Sequence, residues 1–379
     1  GGTGSIGSSA LSVIRQNTDN LKLIGFSYNN NHEKAKEIIS EFKPKYVFSN
    51  QPTDLDVPNQ ITDEDDLLEV FCLESVEFII CGVSGFEGLK STMLASKSGK
   101  KILLANKESI VTAGSIFLES CKKYNSQIFP IDSEHNAVLQ CLDTKSSNSE
   151  ISKVTLTASG GPFYGMGMDQ LKEITPEQAA NHPNWKMGKK ISIDSATLMN
   201  KIFEVIEAKK IFDLQLNQID ILINPNSYIH AIVIFYDGTI KILAHENNMS
   251  IPIYNSIYEP SYFKKYDTKF LNLKKINKLK LTLPNPKKFD SLKILKLIPV
   301  KDSLYETVII SANDELVRLF LDKKIKFKNI TFYLNKIINF KILKKYCNVK
   351  PKSISQIFKV NEMVKKIVNK YVKKTHLYN

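Results

Sequence analysis

The chain has 379 residues, 42% of them hydrophobic and 24% charged, proportions ordinary for a soluble globular protein of two or three domains. No apolar run approaches a membrane span and no signal peptide is visible; five cysteines (Cys72, Cys81, Cys121, Cys141, Cys347) that never form CxxC exclude a disulfide framework and a zinc site and read as idle thiols in a reducing compartment. The net charge of +13 is uneven, since residues 261–379 carry 29 Lys and Arg against 8 Asp and Glu, whereas residues 1–260 carry 23 against 31.

The chain opens GGTGSIGSSALSVI, with Gly1, Gly4 and Gly7 at the spacing of a strand-to-helix phosphate turn and helical apolar spacing at Leu11 and Ile14. Such turns let backbone N–H groups and a helix N-terminus approach a pyrophosphate. Leu21–Phe26 reads as a short strand. Where an NAD site would place a carboxylate on the ribose, the chain has Ser27, Tyr28, Asn29 and Asn30, which favours NADPH. No arginine supplies the usual 2′-phosphate clamp there; His32 and Lys34 are the alternatives. The strand expected before Gly1 is not in the sequence, so the native protein is expected to begin upstream.

Val76–Cys81 and Lys101–Ala105 read as buried strands with helices between, and the second leads into Asn106, Lys107, Glu108 and Ser109. Polar groups just past a strand's C-terminal end are where open α/β sheets bind ligands; the plain alternative is a helix cap. Ile128–Ile131 is a further strand, followed by Asp132-Ser133-Glu134. If extension continues, Asp132 and Glu134 share a face and repel unless a cation joins them. With Glu204 as a third carboxylate they would form an oxygen-rich site suited to Mg²⁺ or Mn²⁺. Ala158-Ser159-Gly160-Gly161-Pro162-Phe163 offers a second turn with amides and a hydroxyl for a phosphate.

The stretch HPNWKMGKKISIDSATLMNKIFEVIEA from His182 carries the only tryptophan, Trp185, and then Ser195, Asn200, Lys201 and Glu204 within ten residues. From Leu198 the pattern is helical, which puts Asn200 and Glu204 on one face and Lys201 one turn from Glu204. A cation, an amide and a carboxylate so placed suit a phosphorylated, metal-chelating substrate; alone they would equally suit a solvated helix face. Residues from about 259 to 283 lack periodicity. Beyond them Leu292–Leu297, Asp314–Leu321, Thr331–Lys345 and Ile354–Val372 show helical spacing with lysines opposite. Arginine is confined to Arg15 and Arg318, so this basic third lacks the forks and stacking platforms used to read nucleic acid. Its lysines match the composition that an AT-rich genome produces, and its charged faces read as solvated surface.

Taken in order, GGTGSIG, LLANKESIVTAG, IDSEHNA, TASGGPF, HPNWKMGKKISIDSATLMNK and NPNSYIHA give the chain a resemblance to 1-deoxy-D-xylulose-5-phosphate reductoisomerase, strong over residues 1–255 and weak beyond. The resemblance implies an α/β protein with a Rossmann-like NADPH-binding domain (1–131), an α+β catalytic domain (132–258) with a lid at 182–188, a linker (259–283) and a C-terminal α-helical bundle (284–379). It implies cofactor contacts from Thr3, Gly4, Ser5, Ile6, Tyr28, Asn29, Asn30, Asn106, Glu108 and Gly188, and metal ligation by Asp132, Glu134 and Glu204. Ser159, Ser195, Asn200 and Lys201 would hold the substrate phosphate, with Ser133, Glu134, His182 and Glu204 also against the substrate. Lys107, Glu134 and His182 would serve catalysis. The implied reaction converts 1-deoxy-D-xylulose 5-phosphate to 2-C-methyl-D-erythritol 4-phosphate in non-mevalonate isoprenoid synthesis, with NADPH as hydride donor and Mg²⁺ or Mn²⁺ as Lewis acid. A homodimer with no nucleic-acid or membrane partner is expected, in a bacterial cytoplasm or a plastid-type organelle.

Several positions depart from the family pattern. Gly2 stands where Ser or Ala is usual, Ile202 replaces a glycine in the active-site helix, Asn224 replaces a His and Asn248 an Asp, and the LNAANE segment survives only faintly in Ile309–Asp314. Reduced stability or activity is expected from them. Three other readings compete. A semialdehyde-type dehydrogenase would need a cysteine nucleophile with a His partner, which no cysteine here has. A nucleic-acid-binding protein built on the basic tail would bind with a steep salt dependence. A decayed homologue would not be expected to keep every proposed metal ligand.

Overall fold

The structure, a computed structural model, describes residues 1–50, 55–142, 150–167, 169–185, 187–258 and 276–376. Most of the expected linker (259–275) and Lys186 of the expected lid lie outside the described residues. The chain divides into two compact units, one of Gly1–Ser109, Phe117–Leu139 and Asn248–Lys269, the other of Ile110–Ile116, Gln140–Asn247 and Phe270–Asn379.

The first unit alternates strand and helix: α1 (Ser5–Arg15), β1 (Gly25–Ser27), α2 (His32–Phe42), β2 (Tyr46–Phe48), β3 (Asn59–Ile61), α3 (Glu64–Cys72), β4 (Phe78–Cys81), α4 (Glu87–Ala95), β5 (Lys101–Leu104), α5 (Lys107–Tyr124, of which Ile110–Ile116 belong to the second unit), β6 (Gln127–Pro130) and α6 (Ser133–Cys141, up to Leu139). The strands form two parallel three-stranded sheets, β1-β2-β3 and β4-β5-β6. Parallel strands covered on both faces are continuous apolar runs, and Ile102, Leu103 and Leu104 of β5 are fully buried. Gly2 lies beside the end of β1, its N–H donating to Ser27 O at 2.7 Å. Later in the chain, α10 (Ser250–Ile257) returns to this unit. Its Ile253 and Tyr254 close a cluster with Ala10 and Val13 of α1, Leu103 and Ile131.

One expectation is corrected here. Extension does not continue through Asp132-Ser133-Glu134, because α6 begins at Ser133 and Asp132 caps it. The Asp132 carboxylate accepts from Glu134 N–H at 3.3 Å, and Asp132 O accepts from Asn136 N–H at 2.8 Å. An aspartate satisfies the open N–H groups of a helix start, and that local bond outweighs the pull of the strand before it.

In the second unit a four-stranded mixed sheet, in the order β10-β9-β7-β8, is built from β7 (Ile151–Ala158), β8 (Ile219–Ile223), β9 (Ile229–Phe235) and β10 (Ile240–Ala244). Between β7 and β8 run α7 (Pro176–Ala179), α8 (Lys189–Ala196) and α9 (Met199–Ile211). Helix α9 starts where the sequence predicts, after Leu198, which takes a left-handed conformation (φ 64°) between the two helices. Helix α8 has no counterpart in the predicted elements. The C-terminal helices are α11 (Leu304–Leu321), α12 (Asn329–Ile337), α13 (Lys341–Lys344) and α14 (Ile354–His376), preceded by a 3₁₀ stretch, Asp290–Leu297. Ser303 and Glu306 form a reciprocal capping box at the start of α11, so this helix is much longer than the predicted Asp314–Leu321. It is buried along nearly its whole length, as expected of a bundle's central helix. On α14, Ile357, Val360, Val364, Val368 and Val372 make the buried stripe.

Candidate active site

In the first unit the opening turn is closed by contacts that leave no room for a side chain. A Cβ on Gly7 would lie 2.3 Å from Gly2 O, and one on Gly2 would lie 2.6 Å from the Phe26 ring. Gly4 is the extended N-cap of α1, with no side chain to cap the helix and no acidic residue in the first turn. Thr3, Gly4, Ser5 and Ile6 therefore present backbone at a helix N-terminus, where an anion is favoured. Tyr28 is buried, its hydroxyl 3.4 Å from His32 Nδ1, while Asn29 and Asn30 are exposed. Lys34 contacts Ser8 Oγ of α1. The two alternatives for a 2′-phosphate clamp thus both stand at the start of α2.

Asn106 caps α5. Its Oδ1 accepts from Ser109 N–H at 2.9 Å, and its Nδ2 donates to Val83 O at 2.7 Å, Gly85 O at 2.9 Å and Glu108 Oε2 at 3.2 Å. It joins the loops after β4 and β5 through a side chain that is 1% exposed. Next to it, Lys107 Nζ lies 3.0 Å from Asp132 Oδ2. The other oxygen of Asp132 is 3.2 Å from Nδ1 of fully buried His135. Ser133 Oγ donates to Glu134 Oε2. Asp132 and Glu134 offer carboxylate oxygens within 4.8 Å of each other, so two acidic groups share one small volume, with the Lys107 ammonium against Asp132. Sequence reasoning missed His135; its signal is a histidine three residues after a helix-capping aspartate.

In the second unit β7 ends at Ala158, and the next three residues turn the chain sharply. Gly160 and Gly161 have φ of 81° and 72°, and a Cβ on Gly161 would lie 2.6 Å from Ala196 Cα. Only glycine allows both the left-handed backbone and this approach to α8. The turn delivers Ser159 Oγ to 2.9 Å from His182 Nε2 and 3.4 Å from Ser195 Oγ, while Gly161 N–H donates to it at 3.0 Å. His182 Nδ1 accepts from Asn184 N–H at 3.2 Å and Trp185 N–H at 3.1 Å. Neutral His182 therefore carries its proton on Nε2, directed at Ser159. Asn184, which the sequence did not single out, anchors the His182–Trp185 loop by donating to Pro225 O at 2.7 Å and Ser227 Oγ at 2.9 Å. Trp185 meets the His230 ring edge-on at 6.1 Å, and His230 stacks on His245 at 3.8 Å. Gly188 is the extended, exposed N-cap of α8.

On α9 the expected face forms: Glu204 contacts both Asn200 Nδ2 and Lys201 Nζ. Lys201 and Glu204 side chains are 3% and 1% exposed. Isolated charges at that depth would cost several kcal/mol, so each requires the other. Three of the departures from the family pattern can be placed. Ile202 is fully buried in the core. Asn224 accepts from Tyr228 N–H at 3.0 Å and donates to Lys280 O at 3.1 Å, and Asn248 accepts from Ser250 N–H at 2.9 Å.

The family model described as 1-deoxy-D-xylulose 5-phosphate reductoisomerase matches residues 1–114, its C-terminal-domain model matches 128–212, and a DXP reductoisomerase C-terminal domain matches 245–367. The Pelagibacter ubique reductoisomerase is 41% identical over 374 residues, 96% of each chain. That of Francisella tularensis subsp. novicida is 39% identical, covering 97% of this chain and 96% of its own. A solved reductoisomerase in complex with NADPH, fosmidomycin and magnesium superposes with a TM-score of 0.90 at 32% identity, covering 98% of this chain and 97% of that one. The Zymomonas mobilis enzyme in complex with NADPH gives 0.85 at 29% identity, with the same coverage. With six ordered motifs, near full-length relatives and a matching architecture, the chain belongs to the 1-deoxy-D-xylulose 5-phosphate reductoisomerase family.

Proposed function

We propose that this protein converts 1-deoxy-D-xylulose 5-phosphate to 2-C-methyl-D-erythritol 4-phosphate, using NADPH and Mg²⁺ or Mn²⁺. The observation that carries the reading is the Asn200–Lys201–Glu204 group on α9, in which the charged Lys201 and Glu204 are both buried. It is a costly arrangement for a solvated helix face and a useful one for holding phosphate and metal. The donor sets fit both groups. Asp132, Glu134 and Glu204 are all-oxygen donors, the set that hard divalent cations prefer, and the Asp132–Glu134 proximity is relieved by a cation. The capless Gly4 turn with Thr3, Ser5 and Ile6 suits a pyrophosphate. Tyr28, Asn29, Asn30, Asn106, Glu108 and Gly188 complete the proposed cofactor contacts.

A divalent cation held by Asp132, Glu134 and Glu204 would supply Lewis acidity toward the substrate's oxygen atoms, and NADPH bound at the Gly4 turn would supply the hydride. The chain's own residues bind, orient and move protons. Ser159, Ser195, Asn200 and Lys201 hold the phosphate, so binding energy remote from the reacting carbons fixes the substrate's position. Lys107 holds a proton at Nζ against Asp132, within a polar network that includes His135 and Ser133. Lys107 and Glu134 are the candidates for proton transfer. His182, its Nε2 proton directed at Ser159, lies against the substrate, and Trp185 in the same loop excludes water.

The protein is a proposed homodimer in a bacterial cytoplasm. Edge strand β10 exposes Ile240 (58%) and Ile242 (56%) from one face, with Tyr236 nearby, an apolar stripe of the kind that marks a subunit contact. Among the described residues no helix is long and apolar enough to cross a membrane.

The test is consumption of NADPH with 1-deoxy-D-xylulose 5-phosphate and Mg²⁺ or Mn²⁺, beside Glu204→Gln. Metal-dependent turnover, reduced at least about 100-fold in the variant, supports both the reaction and the third ligand. A folded protein that binds NADPH but turns over no substrate would sink the proposal.

A further inference from the structure

Thr282–Ser291, at the start of the C-terminal third, has no chemistry in the reading above, yet four of its residues grip the frame of the phosphate-binding side chains. Lys288 Nζ donates to three backbone carbonyls, Phe163 O at 2.7 Å, Tyr164 O at 2.6 Å and Met166 O at 2.8 Å. An ammonium has three donors, and here each meets an oxygen of the loop that follows Ser159-Gly160-Gly161. Burial depresses the Lys288 pKa, so its placement has a cost that those carbonyls offset. The Tyr164 ring covers Gly160, where a Cβ would lie 2.5 Å from its Cδ2, and its hydroxyl is 2.9 Å from Thr282 Oγ1. Phe289 is buried with Ala158 and Leu198, the residues just before Ser159 and just before α9. Ser291 Oγ donates to Thr197 O at 2.7 Å, two residues after Ser195.

We infer that Lys288 is a positioning residue for substrate phosphate, holding the Ser159–Gly161 turn through the Phe163, Tyr164 and Met166 carbonyls. The inference rests on the proposed phosphate role of Ser159 and Ser195. A loop with two left-handed glycines has many conformations to lose, and a side chain matched to three of its carbonyls restricts them before substrate arrives. An arginine, with its planar donors, does not reproduce a pyramidal set of three.

The experiment compares wild type, Lys288→Met and Lys288→Arg as full chains. Steady-state turnover is measured with 1-deoxy-D-xylulose 5-phosphate, affinity for NADPH by fluorescence, and amide hydrogen exchange on the peptide spanning residues 159–166. Lys288→Met is expected to raise KM for the phosphorylated substrate roughly tenfold, leave NADPH affinity unchanged and speed exchange in that peptide roughly tenfold. Lys288→Arg should restore only part of the KM. Unchanged KM and unchanged exchange, or equal losses in substrate and NADPH binding, overturn the inference. If Lys288→Met does not fold, Thr282→Val removes only the hydroxyl facing Tyr164 and should give the same pattern at smaller amplitude; no change in either readout overturns it. If wild type shows no turnover, the proposed reaction fails. The exchange arm then decides separately whether Lys288 holds the turn.

Discussion

Ser159 Oγ stands among His182, Ser195 and the Gly161 amide, so removing one hydroxyl disturbs three partners at once. Ser159→Ala is expected to raise KM for the phosphorylated substrate roughly tenfold, the loss of a hydrogen bond to a charged group, with NADPH affinity intact. Unchanged KM would remove Ser159 from the phosphate site. Gly161→Ala acts differently. The added Cβ meets Ala196 Cα at 2.6 Å on a backbone with φ of 72°, a cost of roughly 2–4 kcal/mol, measured as a lower urea midpoint. A stability within about 0.5 kcal/mol of wild type would mean that the turn rearranges freely. These residues were legible in sequence because their types are unusual where they stand: paired glycines after a strand, a lone tryptophan beside a histidine. Lys288 was not legible. Its partners are backbone carbonyls more than 120 residues away, and nothing in a lysine-rich sequence separates it from its neighbours.

At the scale of the element, strands β4, β5 and β6 were readable as apolar runs and α14 as a stripe. Helix α8 escaped because KKISIDSA is buried on several sides, leaving no amphipathic period, and its serines favour caps over helix interiors. Extension through Asp132–Glu134 fails for a related reason, since Asp132 caps a helix, yet the two carboxylates still come together. Helix α9 is tied to α11 by buried charge. Lys210 Nζ lies 2.7 Å and Lys209 Nζ 3.7 Å from the fully buried Glu306, and Lys210 also donates to Val111 O at 2.8 Å. Burial pushes the Glu306 carboxyl up, and Lys210 only partly counters it. A raised folded pKa means that the folded state binds a proton which the unfolded state has released. The stabilisation from this group is complete below the ordinary carboxylate pKa and is lost as pH rises through the folded value. Glu306→Gln should therefore flatten the fall of melting temperature between acid and neutral pH. An identical pH slope in the variant would show that burial leaves the Glu306 carboxyl at its ordinary value.

For the whole molecule, two measurements follow. Ile242→Lys puts a charge into the exposed apolar stripe of β10 and should shift the mass in light scattering from dimer to monomer at micromolar protein. A variant that keeps the wild-type mass would place any subunit contact elsewhere. If Asp132, Glu134 and Glu204 hold the metal as proposed, removing divalent cations with a chelator should abolish turnover while leaving the circular dichroism spectrum unchanged. A lost spectrum would give the metal a structural role. The return of α10 to the first unit has a consequence for synthesis. Ile253 and Tyr254 close the cluster around Ala10 and Val13, yet they leave the ribosome long after the rest of that unit, roughly ten seconds later at ordinary elongation rates. During that interval α1 has an uncovered apolar flank. A nascent chain stalled near residue 139 should recruit chaperones, and a gene fragment ending there should yield aggregate, whereas one extended through Ile257 supplies the missing cover.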